Sequence, residues 1–485
     1  MVTALSPYAM NSHRYSNLII SVLVIAFSGC TGLTTDLSIP KKDIPASFQN
    51  SKDTTNIADI QWRDYFIDPP LHTLIDTAIG NNLDLQMALQ RIEISRSSVR
   101  AANGALMPTM GLNVGTAIRR YGLYTMDGAG NSTTDITPGQ TVPTNLPDLF
   151  LGFQSSWEVD IWGKLQNQRS SAVSKFLASI EGTNFVVSNL VADVAIYYNE
   201  LRALDNELDI IRQTLHTQDE SLEVVQAQKA AGRATELAVE LFRAQVLNTR
   251  ILEKEVLQQI TVTENHLNFL LGRFPQPIER TKGQYFHGIP REISSGVPSQ
   301  LLANRPDVRE AEFQVEASKF DLAVAKAAFF PSFNITASFG FQAFNPDFLF
   351  VAPASIAYTA VGTLVAPLIN RNALKAQFNN AEAHQVAAMY HYQKTILNAY
   401  VEVANELSNI NNLRKINILK KQQNEVLQQS VETSHLLYRY GRASYLEVLI
   451  AQKNALQSNL ELINFAKQQR IAAVKIYKAL GGGWK

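Results

Sequence analysis

Few residues of this chain have the type and spacing that chemistry requires. Arg305 and Asp307 could form a catalytic charge pair, and His384 and His391, two turns apart on one helix, could ligate a metal. Pro306 separates the charged pair, and proline suits the first position of a helix, near which an acidic residue is favourable. We therefore interpret the pair as a helix start and the histidines as surface residues.

Other catalytic arrangements are missing from the sequence. It contains no zinc-ligand spacing, phosphate-binding loop or nucleophile elbow. The run Gly481-Gly482-Gly483 follows a helical pattern and has no strand before it, so it ends a helix and does not bind phosphate. We predict that the protein is not an enzyme and holds no metal or other cofactor.

The single cysteine, Cys30, has a different role. It cannot form an internal disulfide and has no candidate catalytic partner nearby. A basic pair at 13–14 precedes an apolar run at 18–27, as in a secretory signal peptide. Phe-Ser-Gly-Cys at 27–30 resembles a bacterial lipobox, which predicts that Cys30 is acylated, and Thr31 in place of aspartate favours the outer membrane. The alternative is an ordinary signal peptide with a chance cysteine.

Charge and hydropathy narrow the class of protein. Basic and acidic residues balance at 43 each, so no net field indicates nucleic acid as a partner. Beyond the N-terminus, no run of about 18 apolar residues could form a spanning helix. If the mature protein crosses a membrane, it must do so with strands.

Two segments lack the residues that end helices. Proline is absent from 148–274 and from 368–485, and glycine is rare in both. Apolar residues recur at spacings of three and four between Val187 and Leu215, and the pattern continues between Leu446 and Ile463. Helices of roughly 60 residues would be about 90 Å long, which suits a rod or a tube.

Four other segments alternate apolar with small or polar residues. The alternation is clear at 109–118, 151–159 and 332–341 and weaker at 358–365. One apolar face and one polar face are typical of transmembrane barrel strands, with lipid outside and water inside. The alternative is a half-buried soluble sheet. The alternation alone supports the barrel and the soluble sheet almost equally, and the lipobox favours the barrel.

Two loops connect these strands at one end. The first, 121–147, is rich in Gly, Thr, Pro and Asn, whereas the second, 343–357, is shorter and more apolar. We expect both to be exposed at the same end of the barrel.

The chain also repeats itself. Residues 100–108 lead from helix into strand at a proline, as 323–331 do, and Ala-Gly-Arg-Ala-Thr at 231–235 matches Tyr-Gly-Arg-Ala-Ser at 440–444. Each half therefore predicts helix, strand, strand, long helix, tight turn and long helix. The predicted segments are a signal peptide 1–29, a lipid-anchored extended segment 30–70, a first repeat 71–272, a connection 273–298, and a second repeat with the C-terminal tail 299–485.

Four strands cannot close a barrel, because about eight make the smallest closed sheet. In lipid, an open edge leaves unpaired backbone groups that cost several kcal/mol each. Two copies would give about eight strands and a plugged interior, whereas three copies leave a water-filled lumen. The predicted fold is mixed α and β: a trimeric transmembrane β-barrel with four strands per protomer and twelve in total, continued by a long α-helical periplasmic barrel.

Several spaced motifs carry a family resemblance that covers nearly the whole mature chain. They are Trp62, Phe-Ile-Asp-Pro-Pro-Leu at 66–71, Asn-Asn-Leu-Asp-Leu at 81–85, Leu-Leu-Ala-Asn-Arg-Pro-Asp-Val-Arg at 301–309 and Ala-Leu-Gly-Gly-Gly-Trp at 479–484. The chain resembles the TolC family of outer-membrane efflux proteins, in particular its lipoprotein branch. The resemblance implies a homotrimer in outer-membrane lipid that conducts drugs or other small molecules passively, with a periplasmic membrane-fusion adaptor and an inner-membrane pump of the resistance-nodulation-division type.

Two tight turns are the candidate functional tips. Gly232-Arg233-Ala234 and Gly441-Arg442-Ala443 join antiparallel helices, and glycine supplies the left-handed backbone at a helix C-terminus. By resemblance, they line the closed periplasmic mouth and contact the adaptor. Tyr438 and Glu447 are the candidate pore-aperture residues. Three copies of Glu447, expected one to two turns past the tip, would form an electrostatic gate; the alternative is a solvated side chain.

Two other functions remain as alternatives. One is an outer-membrane channel for protein secretion by an ATP-driven system, whose members often lack the lipobox. The other is a trimeric coiled-coil surface stalk. A stalk would not need a second pair of strands at mid-chain, so the internal duplication counts against it.

Overall fold

The computed structural model describes residues 45, 47–48, 57–281, 283, 296, 298–369 and 371–485. The predicted signal peptide, Cys30 and most of the predicted connection lie outside the described residues. The helices are α1 Trp62–Tyr65, α2 Pro69–Asn81, α3 Leu83–Ala105, α4 Met126–Thr133, α5 Lys164–Ala230, α6 Glu236–Leu270, α7 Gln300–Asn304, α8 Pro306–Ala327, α9 Asn372–Arg439 and α10 Tyr445–Ala479. The strands are β1 Thr109–Arg119, β2 Asp135–Thr137, β3 Gln140–Thr141, β4 Leu146–Val159, β5 Ser332–Ala343 and β6 Ile356–Val365.

Two very long helices dominate the fold. α5 has 67 residues and α9 has 68, so each is about 100 Å long at 1.5 Å per residue. α6 and α10 run back from the far ends of α5 and α9. Nearer the sheet, α3 packs against α5, and α8 packs against both α5 and α9. The prediction of long antiparallel helices is confirmed. None of the described helices has both the length and the apolar character to cross a membrane.

The main sheet has the antiparallel order β1-β4-β5-β6. Its register places Leu112, Phe153, Phe339 and Tyr358 opposite one another in one row across the four strands. The adjacent row consists of Gly111, Gln154, Ser338 and Thr359. Because directly opposite residues share a face, the sheet has one apolar and one polar face, as the alternation predicts.

The order of elements occurs twice. Helix, strand, strand, long helix and returning helix appear as α3, β1, β4, α5 and α6, and again as α8, β5, β6, α9 and α10. The predicted internal repeat is therefore present. The segment boundaries that we assign, such as 71–272 and 299–485, stay predictions.

Two segments contain more structure than the sequence predicts. The first loop, 121–147, holds α4 and the small β2–β3 hairpin, and the side chain of Thr125 caps α4 by accepting from the Gly128 N–H at 3.1 Å. The described part of the predicted extended segment contains a 3-10 turn, α1 and the start of α2. The prediction of extended structure was wrong there. A helical turn puts Trp62 and Phe66 on one face, where both are buried.

The core lies where the two repeats meet, midway along the long helices. It packs Trp62 and Phe66 against Tyr198 of α5 and Tyr477 of α10. Tyr65 stacks on Tyr477 with ring centroids 4.2 Å apart. The Tyr477 hydroxyl donates to the Ile60 carbonyl at 2.7 Å, and the Tyr65 hydroxyl donates to the Ala473 carbonyl at 2.8 Å. The N-terminal and C-terminal parts of the chain are thereby held together.

A buried charge cluster fixes the start of the second repeat. Pro306 occupies the first turn of α8, as predicted. Arg305 is buried and donates to both carboxylate oxygens of Asp307 at 3.0 and 2.8 Å. It also donates to Glu402 at 2.8 Å and to the Ala479 carbonyl at 2.7 Å. Because a buried guanidinium must be paired, this residue ties three segments of the chain together.

The glycine run at the C-terminus passes through tight space. The Ser188 hydroxyl of α5 donates to the Gly482 carbonyl at 2.6 Å, and the Trp484 indole N–H donates to the Gly481 carbonyl at 2.9 Å. A Cβ at Gly482 would lie 2.4 Å from the Tyr477 ring. Glycine is required there by close packing, and the run closes the molecule at its middle.

We predict that Gly482→Ala destabilises the protein by about 1–3 kcal/mol, because the added methyl group overlaps the Tyr477 ring. Gly80→Ala is the matched control, since a Cβ at Gly80 meets nothing within 4 Å. Guanidinium unfolding of the detergent-solubilised protein measures both. Equal midpoints for the two variants would show that the C-terminal run is not tightly packed.

Candidate functional site

The two Gly-Arg-Ala turns have the same backbone geometry. Gly232 and Gly441 both have a φ of +71°, the left-handed conformation that glycine adopts without strain. At the first tip the Arg233 N–H donates to the Gln228 carbonyl at 2.7 Å, and at the second the Arg442 N–H donates to Leu437 at 2.8 Å. These six-residue closures satisfy the last carbonyls of α5 and α9, so both predicted turns are present.

The next helix starts differently at the two tips. At the first, the Thr235 hydroxyl accepts from the Ala238 N–H at 3.2 Å. At the second, the backbone N–H and the hydroxyl of Ser444 donate to one carboxylate oxygen of Glu447, at 2.5 and 3.0 Å. The equivalent position to Glu447 is the buried Ala238. The second tip alone of the two therefore has an acidic capping residue at this position.

Glu447 lies in the first turn of α10, a little more than one helical turn past the Gly-Arg-Ala turn at 441–443. Its side chain is exposed. Two hydrogen bonds lower the pKa of this carboxyl: the one from the Ser444 backbone N–H has the larger effect, and the one from the Ser444 hydroxyl has the smaller. The carboxylate is thus held in its charged form at the tip while it caps the helix.

Tyr438 links the two helix pairs. It lies on the last turn of α9 and is half-buried, and its hydroxyl donates to the side-chain oxygen of Gln228 on α5 at 2.5 Å. Burial raises the pKa of Tyr438, so the phenol stays protonated and remains a donor. The sequence indicated Tyr438 as a site residue but did not indicate its partner.

A second polar contact joins the pairs further from the tip. The Gln452 side-chain nitrogen of α10 lies 3.0 Å from the His435 Nε2 and 3.3 Å from the Ser221 hydroxyl of α5. Burial, with a smaller effect of Arg439, lowers the pKa of His435. Sequence reasoning missed these residues. The signal in the sequence that could have found them is Gln452, a polar residue at a position of α10 that the helical pattern assigns to the buried face.

Apolar packing between the pairs is limited near the tips. Val225, Val239 and Phe242 of the first pair form a small buried cluster with Leu449 of α10. Beside it lies an open groove of about 330 Å³. Apolar side chains line part of the groove, and the polar side chains of Gln228, His435 and Tyr438 line another part. Two helix pairs that meet through few apolar contacts and several hydrogen bonds can separate without exposing a large core.

The remaining tip residues face solvent. Arg233 and Arg442 are exposed, and Ala234 and Ala443 are partly covered. The exposed His384 and His391 lie on α9 away from these turns. In the part of the chain that the structure describes, no three His, Cys, Asp or Glu side chains are grouped so that they could hold a metal ion.

Comparison with known proteins identifies the family of this chain. The family model described as outer membrane efflux protein matches residues 74–273 and 297–482. The chain belongs to the outer membrane efflux protein family. Members of this family are channel and transport proteins, which agrees with the long helices and small sheet.

Relatives and solved structures agree with the family. The chain is 29% identical to outer membrane protein OprJ of Pseudomonas aeruginosa, over 96% of each chain. It is 27% identical to the probable outer membrane lipoprotein SilC of Salmonella typhimurium, over 95% of this chain and 97% of SilC. A crystal structure of CusC, solved in a study of transmembrane channel formation, superposes with a TM-score of 0.81 at 25% identity and covers 93% of this chain and all of that one.

These relationships decide between the alternatives. The predicted outer-membrane efflux channel is confirmed, and the efflux function is supported over protein secretion. The predicted fold class, a long helical part with a small sheet, is confirmed as well. The tip residues and the aperture residues stay predictions.

We predict that Glu447 makes the start of α10 sensitive to acid. Its pKa in the folded protein lies below the ordinary value, so its stabilising effect is fully present above the unfolded-state pKa and is lost as the pH falls through the folded-state pKa. Hydrogen-exchange protection of the first turn of α10 should therefore decline in acid. In Glu447→Gln the amide oxygen can still accept from Ser444 but does not titrate, so the protection should be independent of pH.

The control for this measurement is Glu240→Gln, because Glu240 is exposed on α6 and takes no part in a cap. This variant should keep the acid-dependent protection at the second tip. If Glu447→Gln left the exchange profile unchanged, the capping role of Glu447 would be wrong.

Proposed function

We propose that the protein is the outer-membrane duct of a tripartite efflux pump and works as a trimer. The observation that carries this proposal is the sheet with two open edges. Within the described residues β1 pairs only with β4, and β6 pairs only with β5. The exposed apolar face suits lipid, but unpaired backbone edges are unfavourable there. Pairing of β6 with β1 of the next copy would satisfy both edges, and three copies give a lumen wide enough for water.

The two faces of the sheet support a wet lumen and a lipid-facing exterior. On one face, Leu112, Phe153, Phe339 and Tyr358 are exposed. On the other, the Asn113 side chain donates to Gln154 at 3.1 Å, and the Ser338 and Thr359 hydroxyls lie 2.7 Å apart. Such hydrogen-bonded, small polar side chains suit a water-filled passage of low selectivity.

The helices place the tips far from the membrane. α5 begins at Lys164, soon after β4 ends at Val159, and runs about 100 Å to the first tip. α9 similarly begins at Asn372, soon after β6. We place the sheet in the outer membrane and the tips in the periplasm, where the exposed Arg233 and Arg442 contact the adaptor.

The gate is the contact between the two helix pairs. In the closed state, the Tyr438 hydroxyl holds Gln228 and the Gln452 amide contacts Ser221. An adaptor that binds the tips separates α9 and α10 from α5 and α6 and breaks these bonds, and three copies of Glu447 line the aperture. The inner-membrane pump supplies the energy, the duct performs no reaction, and small molecules pass through passively.

A lipid on Cys30 anchors the duct. The lipobox-like residues before Cys30 support this, and the similarity to SilC, which is named a probable lipoprotein, agrees with it. An anchor at the membrane surface holds the N-terminal segment beside the sheet.

We predict that the purified protein forms trimers that conduct poorly in planar bilayers and that Tyr438→Phe increases the open probability. The variant removes one bond per protomer, each worth about 0.5–1.5 kcal/mol, so three bonds shift the equilibrium on the order of ten- to a thousandfold. Tyr440→Phe is the matched control, because Tyr440 is 75% exposed at the same tip. Absence of any pore would overturn the duct, while a pore that Tyr438→Phe leaves unchanged would overturn only the gate.

We further predict that the mature protein begins at a Cys30 that carries acyl chains. Mass spectrometry of the N-terminal peptide, with metabolic incorporation of a palmitate analogue, tests this. Cys30→Ser should abolish the label while leaving the fold intact, because Cys30 precedes every described element. An unmodified cysteine in the membrane fraction would remove the anchor from the proposal.

A further inference from the structure

The second connecting loop, 344–355, has an unusual composition for an exposed loop. It contains three phenylalanines, a leucine and a valine, and its one charged residue is Asp347. Phe350 is 65% exposed and Val351 is 49% exposed. Loops in water are normally polar at such positions. The first loop is polar over most of its length, and its exposed apolar residues Leu123, Tyr124 and Met126 lie near its start.

Hydrogen bonds within this loop give it a fixed shape. The Gln342 N–H donates to the Ser355 carbonyl at 2.8 Å, and the buried Ser355 hydroxyl donates to the Val351 carbonyl at 2.9 Å. Asn345 accepts from the Asp347 N–H at 3.1 Å beside a 3-10 turn at 346–348. Several backbone groups of the loop are thus paired within it, while Phe348, Phe350 and Val351 are exposed.

The loop lies over the apolar face of the sheet. The Phe350 ring contacts Phe341 of β5, with centroids 5.6 Å apart and an interplanar angle of 65°. Phe341 is opposite Leu151 on β4 and Ile356 on β6. Because opposite residues share a face, the exposed side chains of the loop continue the surface that Phe339 and Phe153 form.

The height of the sheet explains why this continuation matters. On β5 the apolar face extends from Phe333 to Phe341, which is roughly 20 Å along the membrane normal for a strand tilted by about 40°. The apolar band of an outer-membrane barrel is about 25 Å tall. β5 alone is too short for this band, although its neighbour β4, with 14 residues, is longer. Phe348, Phe350 and Val351 follow the end of β5 and prolong the apolar surface there.

We propose that loop 344–355 is a membrane-docking loop that inserts Phe348, Phe350 and Val351 among the acyl chains of the outer leaflet. The polar part of the first loop, in contrast, stays in water. This inference rests on the proposed membrane position of the sheet. Three such loops in a trimer fix the depth of the duct in the membrane, independently of the lipid on Cys30.

Site-directed spin labelling of the full-length protein in phosphatidylcholine–phosphatidylglycerol vesicles tests the inference. Labels are placed with Phe350→Cys in the loop, Phe339→Cys on the apolar strand face and Ser132→Cys in the polar part of the first loop, where the side chain is exposed, and the unsubstituted chain corrects for Cys30. Labels at 350 and 339 should collide more with oxygen than with a water-soluble nickel chelate, and a label at 132 should do the opposite. Val351→Cys, which keeps the Phe350 ring contact, should match 350.

The outcomes separate this inference from the proposed function. If 339 is lipid-exposed but 350 and 351 contact the nickel chelate, the loop lies in water and only this inference is overturned. If 339 also contacts the chelate, the membrane position of the sheet is overturned. Exclusion of both reagents at 350 and 351 would mean that protein, such as a second copy, covers the loop, and would likewise overturn lipid docking.

Discussion

In lipid, a backbone N–H or C=O group that lacks a hydrogen-bond partner has no water to replace it. Both outer strands of the sheet, β1 and β6, have one such edge within the described residues. A soluble protein tolerates open edges by exposing them to water, but an exterior of Leu112, Phe153 and Phe339 is not suited to water. In the trimer that we propose, pairing between copies satisfies the edges, and the fold of one chain is complete only in that assembly.

The same constraint determines the rest of the molecule. Each pair of strands delivers the chain to one end of the sheet, where α5 and α9 begin. Long helices have no exposed backbone edges, so they continue a tube without further pairing between backbones. Their stability comes from side-chain packing, which is densest at the middle, where Tyr477, Arg305 and the C-terminal glycines hold the two repeats together.

Packing becomes weaker and more polar toward the tips. The middle has a continuous buried cluster, whereas the tips share a small cluster around Phe242 and hydrogen bonds from Tyr438 and Gln452. Hydrogen bonds between helices can be exchanged for bonds to water at little net cost. A rigid middle and separable ends are what a duct that opens at one end needs.

The sequence by itself determined the elements whose causes are local: the long helices, the alternating strands, the proline at the start of α8 and the two glycine turns. The structure alone decided which distant residues meet. Gln228 and Tyr438 are 210 residues apart, and helical periodicity fixes the face of each but not the position of one helix along another. The sequence predicts that Glu447 lies near the tip, but only the structure showed that it accepts from the Ser444 N–H and caps α10. Similarly, the composition of loop 344–355 showed that it is apolar, but only the Phe341–Phe350 contact decided on which face of the sheet it lies.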